Sequence, residues 1–519
     1  MHTTIAQAQE GKARSPYRLL LAVGGASACG VALSAAFPPL AWYFLLPVPL
    51  ALLLFGLRRT RPPALRLGLA WAAGLGYYLC LLWWVHLFGW LPWVLLAAVQ
   101  AVAFPLVVLL VAACAPAPGW PRALATAAAW AGVEWLRGQG TFGFAWGQLG
   151  ISLATAPALA QMAAWLGATG LSFLLVLLAA LLAEWERDRT RAWGRELALL
   201  VALLVLVAGL SHWRYQSLAG AERAGADEAQ GLTVAVVQGS TQVYLRPGEP
   251  ERSSPEQVQR ELALYEELTR RALDSAPYLV VWPESALYGY IREDPALSER
   301  LQALAREGGC WLLAGGPAYQ GPLFRNAAFL FGPDAYHGRY DKVHLVPFGE
   351  FVPGRGRLPL VDRYPVRPVD VTPGPGYVPL DAGGCKLGVL ICFESIFPEI
   401  ARAYARREAD LLVVITNDAW FDRTAALRQH AQAAALRAIE SGRYVVRAAY
   451  SGVSQVISPS GRVMGELGPG RRGLLIMDVY PASATAYAQV GYLFAPACLL
   501  VMLGWAAAAS YRRLSRRRR

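Results

Sequence analysis

The sequence predicts a polytopic α-helical membrane bundle of about eight spans that carries an α/β layered domain. Three observations lead there. Of 519 residues, 55% are hydrophobic and only 16% charged, and the mean hydropathy is +0.34; soluble domains carry about 25% charged residues. Apolar runs recur at a length near the ~20 residues that a helix needs to cross a bilayer. At residue 231 the texture changes, and short β-rich runs begin to alternate with polar helical runs, the pattern of a layered α/β fold.

The apolar runs place spans at 18–36, 38–57, 66–88, 91–115, 121–137, 160–184 and 196–213, with an eighth at 487–510. The first has the basic start, apolar core and small residues (ALSAA) of a signal peptide, but further spans follow at once. The fifth is short and contains Glu134 and Arg137, which share a helix face at i and i+3 and can pair. Alternatively, they hold the arm that follows, with Phe144 and Trp146 near a lipid entrance.

Orientation follows from loop charge. Lys and Arg gather in the N-terminal tail, in LRRTRPPALR, in ERDRTRAWGR and in the C-terminal tail, while the alternate loops carry almost none. Basic loops stay cytoplasmic. Residues 1–17 are therefore expected to be a cytoplasmic tail, 18–213 a membrane domain of seven spans and 214–230 a linker. The domain 231–482 is expected outside, followed by the eighth span and a basic cytoplasmic tail at 511–519. Trp42, Trp83, Trp84, Trp90 and Trp93 fall near span ends, as an interfacial belt would. The net charge of +12 is concentrated beside spans and in YRRLSRRRR. It reads as membrane-flanking charge, and no nucleic-acid partner is expected.

Within 231–482 the expected strands are TVAVVQG, YLVVWPE, CWLLAGG, AAFLFGP, KLGVLIC, DLLVVITN, YVVRAA, VSQVISP and LLIMDV. Helices are expected near 254–274, 296–307, 397–408 and 424–442, and SPSGRV reads as a late hairpin turn.

The seven cysteines include no C-x-x-C pair, and the six histidines are dispersed. Neither a metal site nor any cofactor is expected. Cys392 is different because of its company. It ends the apolar strand KLGVLIC; Glu284 ends YLVVWPE, and Lys342 lies in YDKVHLVPFGE. A thiolate attacks carbonyls, so such a cysteine needs a base and a stabiliser for the oxyanion. Glu284 can take the proton, Lys342 can supply positive charge, and the Phe393 N–H can add a donor. Singly, each residue has an ordinary reading: a packing cysteine, a turn glutamate, a surface lysine. Their order and contexts together favour acyl-transfer chemistry.

WPES, the lysine of DKVHLVPFGE and the cysteine of ICFES resemble the Glu–Lys–Cys triad of the nitrilase (carbon–nitrogen hydrolase) superfamily. With the flanking spans, AWAGVEWLRGQGTFGFAWGQLGIS, TNDAWF and LRAIESGRYVVRAAYSGVS, the chain resembles the apolipoprotein N-acyltransferase family over nearly its full length. The resemblance implies an αββα catalytic sandwich facing the periplasm of a bacterial inner membrane. It implies a ping-pong transfer of an acyl chain from a phospholipid, through a Cys392 thioester, to the amino group of an apolipoprotein's diacylglyceryl-cysteine. Glu284 would be the general base, Lys342 the stabiliser and Cys392 the nucleophile. Glu350 and Glu394 match further important carboxylates, as catalytic groups or as anchors of Lys342 and the loop backbone. Phe144, Trp146, Tyr244 and Trp420 are candidates for substrate access.

Three positions depart from the family. Phe393 stands where Tyr is common, QVYLRPGEP lacks the usual lid Trp, and Ser451 replaces Asn. A monomer is expected. Two rival readings remain: a tethered amidase that uses water as acceptor, and a non-catalytic binding protein.

Overall fold

The computed structural model describes residues 16–184, 191–227, 231–240, 255–287, 294–356 and 369–517. Its contacts divide the chain into two compact units. One comprises Met1–Val133, Val176–Arg189 and Val501–Arg519; the other comprises Glu134–Leu175 and Thr190–Leu500.

Six helical segments among the described residues are long and apolar enough to cross a membrane: Tyr17–Ser34, Pro63–Leu81, Trp90–Cys114, Ala163–Glu184, Ala198–Gly225 and Gly491–Arg516. The other two expected spans are helical but differ. The second is a 13-residue helix, Pro47–Arg59, that starts at a proline after a short 3-10 turn, Tyr43–Leu45. Apolar composition does not separate such a turn from the helix behind it. The fifth, Trp120–Arg137, has 18 residues but carries Arg122, Glu134 and Arg137. The helix Arg191–Asp227 continues through most of the segment expected to be a linker.

The first unit packs by close backbone approach. A Cβ on Gly30 would lie 1.9 Å from the carbonyl oxygen of Ala73, and one on Gly76 would lie 2.5 Å from that of Ser27. Helices Pro16–Ser34 and Pro63–Leu81 therefore cross where only glycine fits, the small-residue packing that membrane helices favour. Tyr77, Tyr78 and Phe104 fill the space beside that crossing, with ring centroids 4.8–6.5 Å apart. Glu184 accepts from the N–H of Gly119 at 3.0 Å and faces Arg122 at 3.3 Å and Arg58 at 3.4 Å.

The second unit holds two six-stranded sheets. The first uses β1 (Leu232–Gln238), β2 (Leu279–Val281), β3 (Trp311–Gln320), β4 (Leu323–Phe331) and β5 (Tyr336–Asp341). The second uses β6 (Leu380–Ala382), β7 (Cys385–Ile391), β8 (Leu411–Thr416), β9 (Tyr444–Ala449), β10 (Ser454–Ile457) and β11 (Val463–Leu467). The last strand, β12 (Gly473–Val479), returns to the first sheet. The orders are β12-β1-β2-β3-β4-β5 and β11-β10-β9-β8-β7-β6. β1, β2 and β3 run parallel, as do β7, β8 and β9.

Helices Pro255–Leu273 and Pro295–Gly308 pack on the first sheet, and helices Pro398–Arg406 and Ala426–Ser441 on the second. β1 meets β9 and β4 meets β7 between the sheets, which gives an αββα sandwich. Local sequence sets these helices. Pro295–Gly308 begins with Asp294, whose carboxylate accepts the Leu297 N–H, and ends at Gly309 in the left-handed region at φ 56°. β8 and β9 are buried at every residue, so they read as continuous apolar runs.

Nine of the twelve strands lie where the sequence places them; β5, β6 and β11 were not anticipated. All three sit at sheet edges. Edge strands are short and half-solvated, so they show little apolar periodicity.

Candidate active site

Parallel strands end together, and Cys392 and Glu284 follow the carboxyl ends of the parallel strands β7 and β2. β7 and β8 pair up to Ile391↔Ile415, so Cys392 and Thr416 are the next residues on neighbouring strands. Cys392 takes a left-handed φ of 54° and opens the 3-10 turn Cys392–Ile396. Ser285, directly after Glu284, and Phe348, two before Glu350, are left-handed as well, at 58° and 62°. Such conformations cost about 1–3 kcal/mol each for non-glycine residues and persist where the surroundings enforce them.

Glu284 follows β2 and reaches across to the second sheet. Its Oε2 accepts the backbone N–H of Asn417, just past β8, at 2.7 Å. Its Oε1 accepts from Nδ2 of Asn326 at 2.7 Å and lies 3.9 Å from Nζ of Lys342. Lys342 follows β5; its backbone N–H donates to the Asn326 carbonyl at 2.8 Å. Its ammonium is 1% exposed and donates to Glu350 Oε1 at 2.9 Å. Glu350 Oε1 also receives Asn326 Nδ2 at 3.2 Å, and Oε2 receives the Val346 N–H at 2.8 Å. Burial would discharge Lys342, but the Glu350 and Glu284 carboxylates outweigh it and hold the ammonium above its ordinary pKa. Burial likewise opposes the Glu350 charge, and Lys342 with the Val346 N–H reverses that, leaving Glu350 below its usual range.

Glu394 is fully buried, and both of its carboxylate oxygens are taken up by donors. Oε1 accepts the Tyr340 hydroxyl at 2.8 Å and the N–H groups of Val343 and His344 at 2.8 and 3.0 Å. Oε2 accepts the N–H of Ile391 at 2.8 Å. One carboxylate thus ties the two residues after Lys342 to the residue before Cys392. Burial raises its pKa, and the backbone donors oppose that rise.

The Cys392 thiol is pushed well above its ordinary range by burial and then by the Glu284 charge, while Lys342 pulls the other way. The resting group is a thiol, and a proton acceptor is needed at the moment of attack. Phe393 packs its ring against Phe397 at 5.1 Å and Phe144 at 6.1 Å. Its N–H is at the start of the turn, where helix N–H groups have no partner within the helix. His344 is driven down to about 4 by burial and the Lys342 charge, so it is neutral beside the site.

The access candidates fall in different places. Phe144 and Trp146 are buried. Their arm is held by Arg137, whose Nη1 donates to the carbonyls of Phe144 and Trp146 at 2.9 and 2.8 Å. Glu134 accepts the Leu149 N–H at 2.9 Å. Trp420 is half-buried in the turn Asp418–Phe421, immediately after Asn417. Tyr244 lies outside the described residues.

The sequence reading passed over Asn326, Asn417 and Tyr340, which act through hydrogen bonds, and the buried set of Asp418, His430 and Arg447. Asp418 lies within TNDAWF, so that motif was the available signal. Asn326 and Tyr340 sit on β4 and its edge neighbour, where sequence offers no marker. Among the described residues no group of His, Cys, Asp and Glu is arranged to hold a metal.

Comparison with known proteins gives two family matches. Residues 29–181 match the apolipoprotein N-acyltransferase N-terminal domain, and residues 233–489 match carbon-nitrogen hydrolase. An apolipoprotein N-acyltransferase of Geobacter metallireducens is 33% identical over 497 residues, covering 91% of this chain and 92% of that protein. One of Azotobacter vinelandii is 34% identical over 521 residues, covering 93% and 94%. One of Methylococcus capsulatus is 36% identical over 371 residues, covering 70% and 69%.

Proposed function

The chain belongs to the apolipoprotein N-acyltransferase family, and from that premise we propose that it moves an acyl chain from a phospholipid to the α-amino group of an apolipoprotein's diacylglyceryl-cysteine. The observation that carries the mechanism is the gathering of the half-buried Cys392, at the end of β7, with Glu284 and Lys342, whose Nζ lies 3.9 Å from Glu284 Oε1.

In the first half-reaction Glu284 takes the Sγ proton as sulfur attacks the ester carbonyl. Lys342 Nζ and the Phe393 N–H receive the oxyanion. Collapse breaks the ester C–O bond, and Glu284 returns its proton to the departing lysophospholipid oxygen. Cys392 is left as a thioester. In the second half-reaction the lipoprotein amine attacks that thioester, Glu284 takes the amine proton, and the amide forms. The sulfur leaves and regains the proton. Glu350 and Glu394 act by placement: the first holds Lys342, and the second locks the Lys342 loop to the nucleophile turn.

The proposal keeps eight spans, counting Pro47–Arg59 and Trp120–Arg137, with both termini cytoplasmic and the α/β domain periplasmic. Both lipid-anchored substrates then reach the site by lateral diffusion, and the enzyme acts as a monomer without cofactor or nucleic acid. The test mixes purified protein with phospholipid and measures intact mass. One added acyl chain is expected on the wild type and none on Cys392→Ala. A diacylglyceryl lipopeptide should then discharge the adduct into a triacylated peptide. Discharge only as free fatty acid would replace this reading with a hydrolase.

A further inference from the structure

The mechanism leaves a buried charged cluster in the second unit unused, and it lies directly behind the nucleophile. Asp418, His430 and Arg447 are each at most 1% exposed. They come from three elements: the turn after β8, helix Ala426–Ser441 and β9. Arg447 Nη2 donates to Asp418 Oδ2 at 2.7 Å and lies 3.2 Å from His430 Nδ1; its Nε donates to the Val453 carbonyl at 3.0 Å. Asp418 Oδ1 accepts the Thr416 hydroxyl at 2.8 Å and lies 3.0 Å from His430 Nδ1. Against its burial, the Arg447 guanidinium holds the Asp418 carboxyl down at about 2, so it is ionised. An ion pair this deep is costly to desolvate unless each member is fully engaged.

The far side of the imidazole meets the nucleophile. His430 Nε2 is 3.1 Å from the carbonyl oxygen of Cys392 and 2.9 Å from Ser395 Oγ, and Ser395 Oγ donates to the same carbonyl at 2.8 Å. A carbonyl oxygen only accepts, so the contact is attractive when Nε2 carries a proton. Burial and the Arg447 charge lower the ring's pKa; with its single proton on Nε2, Nδ1 accepts from Arg447 Nη2, whose charge bridges to Asp418 and offsets the 3.0 Å approach of Nδ1 to Asp418 Oδ1. The ring is also clamped on its faces. The Trp146 indole stacks on it at 5.7 Å and 26°, and Phe421 meets it edge-on at 5.7 Å. Trp146 Nε1 is anchored by Gln429 Oε1 at 2.9 Å.

We infer that His430, oriented by Asp418 and Arg447, is a positioning residue whose Nε2–H holds the Cys392 carbonyl and thereby fixes the left-handed turn that aims the sulfur. The inference rests on Cys392 being the nucleophile of the proposed reaction. The turn is strained at φ 54°, and a strained conformation needs more than one restraint on the same group. Ser395 supplies one and His430 the other. Trp146 lies on the restraint itself, so the arm that carries it bears on the nucleophile through the imidazole.

The experiment compares His430→Leu, which keeps bulk and removes the donor, with His430→Gln, which keeps an N–H at the ε position. Thioester formation on phospholipid is followed in single turnovers, and the burst from a p-nitrophenyl ester counts active thiols. His430→Leu should acylate about tenfold to a hundredfold more slowly per active thiol, the loss expected of a reacting atom displaced by about 1 Å. Its half-saturating lipid concentration should change by less than about twofold, as for a group that acts on the reacting geometry and not on binding. His430→Gln should recover to within about fivefold of wild type. A purely structural role predicts fewer active thiols that each react at the wild-type rate, and that result overturns the inference. So does His430→Gln as slow as His430→Leu. If the wild type gives a burst with the p-nitrophenyl ester but no phospholipid thioester, the acyltransferase reading fails, and the comparison of variants on the burst rate still decides this one. If the wild type shows neither, both fall.

Discussion

Replacing Glu350 by glutamine changes one atom and tests whether this residue works through Lys342. In the native site Oε1 receives Lys342 and Asn326 while Oε2 receives the Val346 N–H. Glutamine has one acceptor and one donor. If its oxygen faces Lys342, its amide hydrogens face the Val346 N–H. If it is flipped, they face an ammonium. Neither orientation satisfies both sides, and Lys342 is left with Glu284, 3.9 Å away, as its remaining carboxylate among the described contacts. The ammonium then shifts toward the base and ties it up. Removing one partner of a buried ion pair costs about 3–5 kcal/mol; with Glu284 still present, ~2–3 kcal/mol is the reasonable share. Expressed in the barrier, that slows thioester formation about thirtyfold to a hundred-and-fiftyfold. The assay is single-turnover acylation by intact mass, with folding checked by melting. A folded Glu350→Gln protein that acylates within about threefold of wild type would refute the anchoring argument. A stability cycle with Lys342→Met gives a second check: the two changes should be strongly non-additive, and simple additivity would mean that Glu350 does not act through Lys342.

Three further outcomes are expected. Glu284→Gln should slow acylation by about a hundredfold or more, as for loss of a general base, yet speed Cys392 alkylation by iodoacetamide at neutral pH. The Glu284 charge raises the thiol's pKa, so its removal increases the thiolate; unchanged or slower peptide-resolved alkylation would contradict this. Glu399 is pushed up to about 7 by burial, from an ordinary 4.5. Between those values the folded protein keeps a proton that the unfolded chain has lost, so stability falls as pH rises through the window. The gain in Tm of Glu399→Gln over wild type should be larger at about pH 8 than at about pH 5, and an equal difference at both would refute it. Gly30→Ala should destabilise by at least about 1–3 kcal/mol through overpacking, because its Cβ would meet the Ala73 carbonyl, whereas Gly56 has nothing within 4 Å and should tolerate alanine. Similar melting of the two variants would count against the tight crossing.

The legible parts of the site were those carried by distinctive residue types at strand ends. Cys392 and Glu284 each end an apolar run that the eye can find, Lys342 stands within YDKVHLVPFGE, and the flanking motifs set all three in a family. Asn326 was invisible because its role is to hold two carboxylates at once, and one of those, Glu350, is 24 residues away. Tyr340 was invisible for the same reason: it reports on Glu394 from an edge strand with no apolar signature. The second span shows the reverse: composition alone does not set the length of its helix. The run 38–57 is apolar throughout, but its proline-rich start makes a turn and leaves a short helix.

The sequence by itself determined the class of the molecule, because lipid and water select residues by type and a bilayer selects them by run length. It also supplied the candidate reactive groups of the proposed mechanism, because thiol, carboxylate and amine chemistry belongs to the side chains alone. Only the tertiary structure decided what each carboxylate is for. Glu350 and Glu394 read alike as acids near a nucleophile, yet one neutralises a buried ammonium while the other gathers four donors to join two loops. That difference depends on directions and distances between distant segments. Cys392 stands at the junction: its identity was written in the chain, and its strained turn, raised pKa and imidazole clamp follow from where the two sheets place its neighbours.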